Sequence, residues 1–165
     1  MKSDLPAFSA ETVVVGIGNV VHSDDGAGVQ AFKILRDTGK VPESVSMVEG
    51  GTLGLELISY LQNARRIILL DAVEAGAEPG ATFRFEADDL RGMSGSWNVH
   101  QLGVGDLLNA LSLIAPAPQE IVLLGVQPES TAWGTTCTER IQQALPKLVQ
   151  AALDELDCWS RAEAA

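Results

Sequence analysis

Apolar positions along the chain follow two alternating rhythms. Residues 11–18 carry a continuous β-branched run, Val13-Val14-Val15, closed by Gly16 and Gly18, which predicts a buried strand. From Asp24 the period lengthens. Val29, Phe32 and Leu35 recur at helical spacing beside Ala31 and Ile34, with Gln30, Lys33, Arg36 and Asp37 between them and Gly39 to end the helix. A short second strand follows over 45–48 and runs into Glu49-Gly50-Gly51-Thr52. Leu53, Leu57, Tyr60 and Leu61 then predict a second helix, to about residue 63.

The third strand, 66–71, is four apolar residues (Ile67-Ile68-Leu69-Leu70) leading into Asp71. Residues 74–80 are turn material, and Thr82, Phe83 and Phe85 give 81–86 the propensity of a fourth strand. Residues 88–98 show no period and predict a mobile loop. Leu102, Leu107, Leu108, Leu111 and Ile114 form the stripe of a helix over 101–114, stopped by Pro116 and Pro118. The last strand is expected at 121–126. Ile141, Leu145, Leu148, Ala152, Leu153 and Leu156 line one face of a terminal helix, with Pro146 expected to kink or divide it. Residues 1–10 and 160–165 are expected to be flexible.

The order β-α-β-α-β-β-α-β-α calls for an α/β fold. The expected architecture is three-layer α/β/α, with a twisted, mostly parallel five-stranded sheet. The third and fourth strands are expected to form a hairpin-like pair that supplies an antiparallel strand. With 165 residues and no linker or repeat, one domain is expected.

Composition narrows the function classes. No apolar run approaches the roughly 18 residues needed to span a bilayer. No basic start precedes an apolar block, so no signal peptide is predicted and the cytoplasm is the expected compartment. A net charge of −11 opposes binding to nucleic acid or anionic membrane, which need a positive surface. The two cysteines, Cys137 and Cys158, fit neither a metal-binding spacing nor a disulfide framework.

Candidate chemistry gathers where strands end, because in an open α/β sheet the loops there converge on one crevice. Asp24 and Asp25 follow the first strand, Asp71 ends the third, and His100 heads a helix. Two carboxylates and an imidazole would make an O,O,N metal site with open positions. Each residue also has a plainer role. One aspartate of the first pair suffices to cap the following helix, and Asp71 can serve as a turn residue. His22 competes with His100, since position along the chain does not choose between them. Gly16-Ile17-Gly18 resembles a dinucleotide fingerprint and Glu49 lies where a ribose would find its acid. The third glycine is replaced by Val21, however, and a pyrophosphate would face two like charges.

Together these residues resemble the nickel–iron hydrogenase maturation endopeptidases. The resemblance is carried by Gly16-Ile17-Gly18-Asn19 with Asp24-Asp25-Gly26-Ala27-Gly28, and by Glu49-Gly50-Gly51-Thr52. Leu69-Leu70-Asp71-Ala72, Pro79-Gly80, His100-Gln101-Leu102-Gly103 and Leu124-Gly125-Val126-Gln127-Pro128 complete it, all in the family's order. It implies a twisted sheet between helices, and an enzyme that removes a C-terminal extension from the hydrogenase large-subunit precursor after nickel insertion. The family's metal-contacting residues carry over to Asp25, Asp71 and His100, and so favour His100 over His22. The nickel is then expected to come with the precursor, and cleavage to be a metal-assisted hydrolysis with Asp25 or Asp24 taking a proton from water. A non-enzymatic nickel-binding assembly factor is the alternative. Two positions depart from the common pattern: Asp25 is glutamate in some relatives, and Glu49 often aspartate. Residues 88–98, Trp97 and Trp133 are candidates for contact with the precursor.

Overall fold

The computed structural model describes residues 10–92, 99–114 and 117–164. Strands β1 (Thr12–Ile17), β2 (Val45–Gly51), β3 (Arg66–Ala72), β4 (Thr82–Glu86) and β5 (Glu120–Val126) form one sheet in the order β2-β1-β3-β5-β4. The pairs β1–β2, β1–β3 and β3–β5 are parallel, and β4 runs antiparallel to β5. Helices α1 (Ala27–Asp37), α2 (Ile58–Leu61), α3 (Ala87–Gly92), α4 (Val99–Ser112) and α5 (Glu139–Ala164) complete the chain.

Strand periodicity divides the core in two. Val14, Ile68, Leu70, Val122 and Leu124 point to the face covered by α1 and α5, where Phe32, Leu35, Ile141, Leu148 and Trp159 meet them. Val13, Val15, Ile67, Leu69 and Leu123 point to the other face, against Leu57, Leu61, Leu107, Leu108 and Leu111. Every residue of β3 is buried, as a central strand of a parallel sheet covered on both faces must be. The three-layer α/β/α architecture and the five strands match the expectation from the pattern of apolar residues.

The partner of β4 differs from the expected hairpin with β3. Both edges of β3 are already taken, by β1 and β5, so the returning strand must use the open edge of β5. The connection crosses the end of β5 and is fastened there: Val73 N donates to Val126 O (2.8 Å), Gly80 N to Gln127 O (2.9 Å) and Gln127 N to Ala81 O (2.8 Å).

Three further segments depart from expectation. Residues 87–92 are helical, in place of the start of a loop, and Asp89 Oδ2 accepts the Glu86 amide at that helix's entry (2.9 Å). The rest of that expected loop, 93–98, lies outside the described residues, as do 1–9. Helix α5 is continuous through Pro146 and reaches Ala164, into the tail expected to fray. Its buried stripe runs on through Leu156 to Trp159, and burial along so many turns outweighs the roughly 3 kcal/mol cost of one internal proline. Arg66 also reaches this end of α5, lying over the Trp159 ring at 5.7 Å. Among the described residues no helix is long and apolar enough to cross a membrane.

Candidate functional site

From β1 the chain turns one way to reach β2, then crosses back to place β3 on the other side of β1. This reversal opens a crevice between the carboxyl ends of β1 and β3, the place where ligands bind in open α/β sheets. Both aspartates lie there. Asp71 is the penultimate residue of β3, and Asp25 sits on a 3-10 turn, Ser23–Gly26, that joins β1 to α1.

Two glycines let these parts approach so closely. A Cβ on Gly28, in the first turn of α1, would overlap the carbonyl oxygens of Ile17 and Leu70. Gly18 has φ +128°, and a Cβ there would overlap the carbonyl oxygen of Asp25. The result is a cleft of about 250 Å³. Ile17, Gly18 and Asn19 wall it on the β1 side, Gly51, Thr52, Gly54 and Leu57 on the β2 side, and Val104 and Leu107 of α4 from above. Asp25 and Asp71 supply its carboxyl groups.

Both acids are nearly enclosed, each 6% exposed. Asn19 N donates to Asp25 Oδ2 at 3.0 Å, and Ala72 N donates to Asp71 Oδ1 at 2.8 Å. Burial pushes the Asp71 carboxyl up to about 8; the Ala72 amide pulls against this and the neighbouring charge of Asp25 adds to it. At neutral pH, Asp71 therefore holds its proton. Such a pair can accept a divalent cation in exchange for that proton, because the cation removes both the repulsion and the cost of a bare buried charge. It can also accept and return a proton from a water between the two carboxyl groups.

His100 is the second residue of α4, and its side chain lies outside the described residues. Among the described residues no three His, Cys, Asp or Glu side chains form a cluster able to hold a metal ion. His22 is held away from the cleft lining. Its Nδ1 lies 3.1 Å from Thr131 O, and its ring packs on Trp133 with centroids 4.4 Å apart. Trp133 is 81% exposed, as a contact residue would be, whereas Trp97 lies outside the described residues.

Asp24 does not do what its place in the loop led us to expect. Its side chain neither caps α1 nor lines the cleft; it is fully buried and accepts four hydrogen bonds from the segment after β5. A carboxylate so occupied has no access to a reacting water. Cys137 is likewise no nucleophile, since burial, helped by the Asp24 charge, pushes its thiol up to about 11. Gln127 was named only within the resemblance and given no role of its own. It is buried, and its Oε1 accepts the Ala75 (2.9 Å) and Ala77 (3.1 Å) amides, which fixes the loop that follows Asp71. Apart from that motif, only its place at the end of an apolar strand marked it.

An α/β protein with two acids converging at the switch point of its sheet is the class defined so far. Comparison with known proteins narrows it. The family model described as hydrogenase maturation protease matches residues 29–155. The hydrogenase expression/formation protein HupD of Bradyrhizobium diazoefficiens is 33% identical over 150 residues, covering 89% of this chain and 78% of that one. The hydrogenase 2 maturation protease of Escherichia coli is 31% identical over 120 residues, 72% of this chain and 73% of its own. Among solved structures, the hydrogenase maturating endopeptidase HybD from Escherichia coli superposes with a TM-score of 0.81 at 26% identity, covering 88% of this chain and 91% of that one. The chain belongs to the hydrogenase maturation protease family. The matched span begins just after Asp25, so the loop bearing that residue is tied to the site by its geometry.

Proposed function

We propose that this protein is a cytoplasmic endopeptidase that removes the C-terminal extension of a nickel–iron hydrogenase large-subunit precursor after nickel insertion. It recognises the nickel already held by that precursor through Asp25, Asp71 and His100. The observation that carries the reading is the convergence of Asp25 and Asp71 in one cleft, with Asp71 burdened by both burial and its neighbour's charge. Nickel belongs here to the substrate. Two carboxylates and an imidazole suit a divalent first-row ion and leave positions for water and the precursor's own ligands. The inclusion of His100, at the head of α4, rests on the motif it shares with the maturation endopeptidases. A dinucleotide would instead set its pyrophosphate against two acids.

In the proposed reaction the loaded precursor docks with its metal at the two acids, and Asp71 gives up its proton to solvent as it engages the ion. The metal polarises the scissile carbonyl or lowers the pKa of a water. Asp25 takes a proton from that water as its oxygen bonds to the carbonyl carbon, and returns it to the departing amide nitrogen as the C–N bond breaks. A precursor without nickel offers no ion to grip and is left uncut.

Purified protein mixed with nickel-loaded and nickel-free precursor tests this. The loaded precursor is expected to lose its extension while the nickel-free form stays full length. Stable binding to the loaded precursor without shortening would favour the non-enzymatic assembly factor and overturn the endopeptidase reading.

A further inference from the structure

The turn that presents Asp25 has little to hold it in itself. It is one 3-10 turn, the residue before it, His22, makes no side-chain capping hydrogen bond, and Ser23 at its start has φ +50°, a left-handed conformation that non-glycine residues rarely adopt. To its few local bonds a distant segment adds a dense set of its own. Asp24 Oδ2 accepts the amides of Glu129 and Ser130, both at 2.9 Å, and the Thr138 hydroxyl at 3.0 Å; Asp24 Oδ1 accepts the Thr138 amide at 2.6 Å. Asp24 N returns a bond to Ser130 O (3.1 Å), Ser23 N donates to Gly134 O (2.8 Å), and Ser23 Oγ donates to Ala132 O (3.0 Å).

A fully buried carboxylate is costly unless its lone pairs are met and its charge is offset. Here three backbone amides and a hydroxyl meet it. Thr138 directly precedes α5, so the positive end of a 26-residue helix dipole faces the charge. Consecutive residues thus serve opposite sides of one turn, with Asp24 anchored in the protein and Asp25 lining the cleft.

We infer that Asp24 is a positioning residue: by clasping residues 129–138 to the 3-10 turn, it sets where the Asp25 carboxylate stands in the cleft. This rests on the proposed role of Asp25, although the clasp itself can be tested apart from activity. The independent reporter is the Asn19 amide, which donates to Asp25 Oδ2 and so registers where that oxygen is. Asp24→Asn keeps the size but aims an NH₂ group at donors that need an acceptor.

Hydrogen exchange and precursor cleavage are measured together on Asp24→Asn, Thr138→Val and Thr138→Ser in the full chain. Asp24→Asn is expected to speed Asn19 exchange by about tenfold, the equivalent of one hydrogen bond, while the β3 amides keep their protection. Its kcat/KM for cleavage falls by about 100-fold, as expected when a group that both grips the precursor's metal and moves the proton is misplaced. Should Asp24→Asn not fold, Thr138→Val carries the test. It removes one hydroxyl donor and shows the same two effects in smaller measure, and Thr138→Ser, which restores the hydroxyl, recovers most of the loss. Wild-type protection of Asn19 in Asp24→Asn, equal loss of protection in β3, or a Thr138→Ser variant no better than Thr138→Val would each overturn the inference. If Asp25→Asn cleaves normally, the proposed site fails, and the Asn19 exchange data still decide whether the clasp exists.

Discussion

Replacing Asp71 with asparagine should make the protein more stable and inactive. The carboxyl titrates near 3.8 in an unfolded chain and near 8 in its buried place at the end of β3. Below about pH 4 both states hold the proton, and the residue adds no pH dependence. Between pH 4 and 8 the native state keeps a proton that the unfolded state has lost, so raising the pH favours unfolding by about 1.4 kcal/mol per unit. The accumulated cost reaches at most about 4 kcal/mol at pH 7 and about 6 kcal/mol above pH 8. Asparagine cannot ionise, and its Oδ1 can still accept the Ala72 amide that Asp71 Oδ1 accepts now. Urea denaturation of both proteins at pH 5, 7 and 8.5 isolates the effect of Asp71 together with its coupling to Asp25, because titrating groups that do not interact with Asp71 cancel in the difference. The stability gap should widen in favour of Asp71→Asn from pH 5 to 8 and then level off, while cleavage of loaded precursor is lost. A gap independent of pH, or one that favours the wild type as pH rises, would refute the reasoning. A carboxyl kept at such a cost is what a site retained for function, against stability, entails.

Other outcomes follow from the same geometry. His100→Ala should abolish cleavage of nickel-loaded precursor with an unchanged circular dichroism spectrum, whereas His22→Ala, removing a ring that packs on Trp133 outside the cleft lining, should cleave at near wild-type rate; both are read by gel shift of the large subunit. Gly28→Ala forces a methyl group onto two backbone carbonyls and should cost about 3 kcal/mol or prevent folding, measured by thermal melting. Leu69→Ala, in the middle of β3 and fully buried, should lower stability by 2–5 kcal/mol, as cavities of that size do in urea titrations.

How far the sequence foretold this molecule differs from part to part. Strand faces and helix stripes were legible because burial imposes a period on neighbouring residues: Val13 and Val15 on one face, Val14 on the other. The edge taken by β4 was not, since it depends on β3 already having two partners, a fact distributed over the whole sheet. The helix over 87–92 escaped notice because it is short and held by a local contact of Asp89 rather than by an apolar stripe. Pro146 misled for the opposite reason, a strong local rule overridden by packing along α5. At the site, Asp71 could be found from its apolar lead-in. Without the resemblance, which picked Asp25, the two adjacent acids could not be told apart, because on a tight turn they face opposite ways and only the fold decides which one meets the cleft. The choice of His100 over His22 came from the resemblance to the maturation endopeptidases. His22 does not line the cleft; its Nδ1 lies instead against Thr131 O, more than a hundred residues away in sequence.

The most direct measurement is a crystal structure of the protein soaked with nickel or cadmium. A single ion bound between the carboxylates of Asp25 and Asp71, with the imidazole of His100 as third ligand, is the predicted result. An ion bound elsewhere, or none at that cleft with both aspartates in place, would contradict the claim that these residues grip the metal of the precursor.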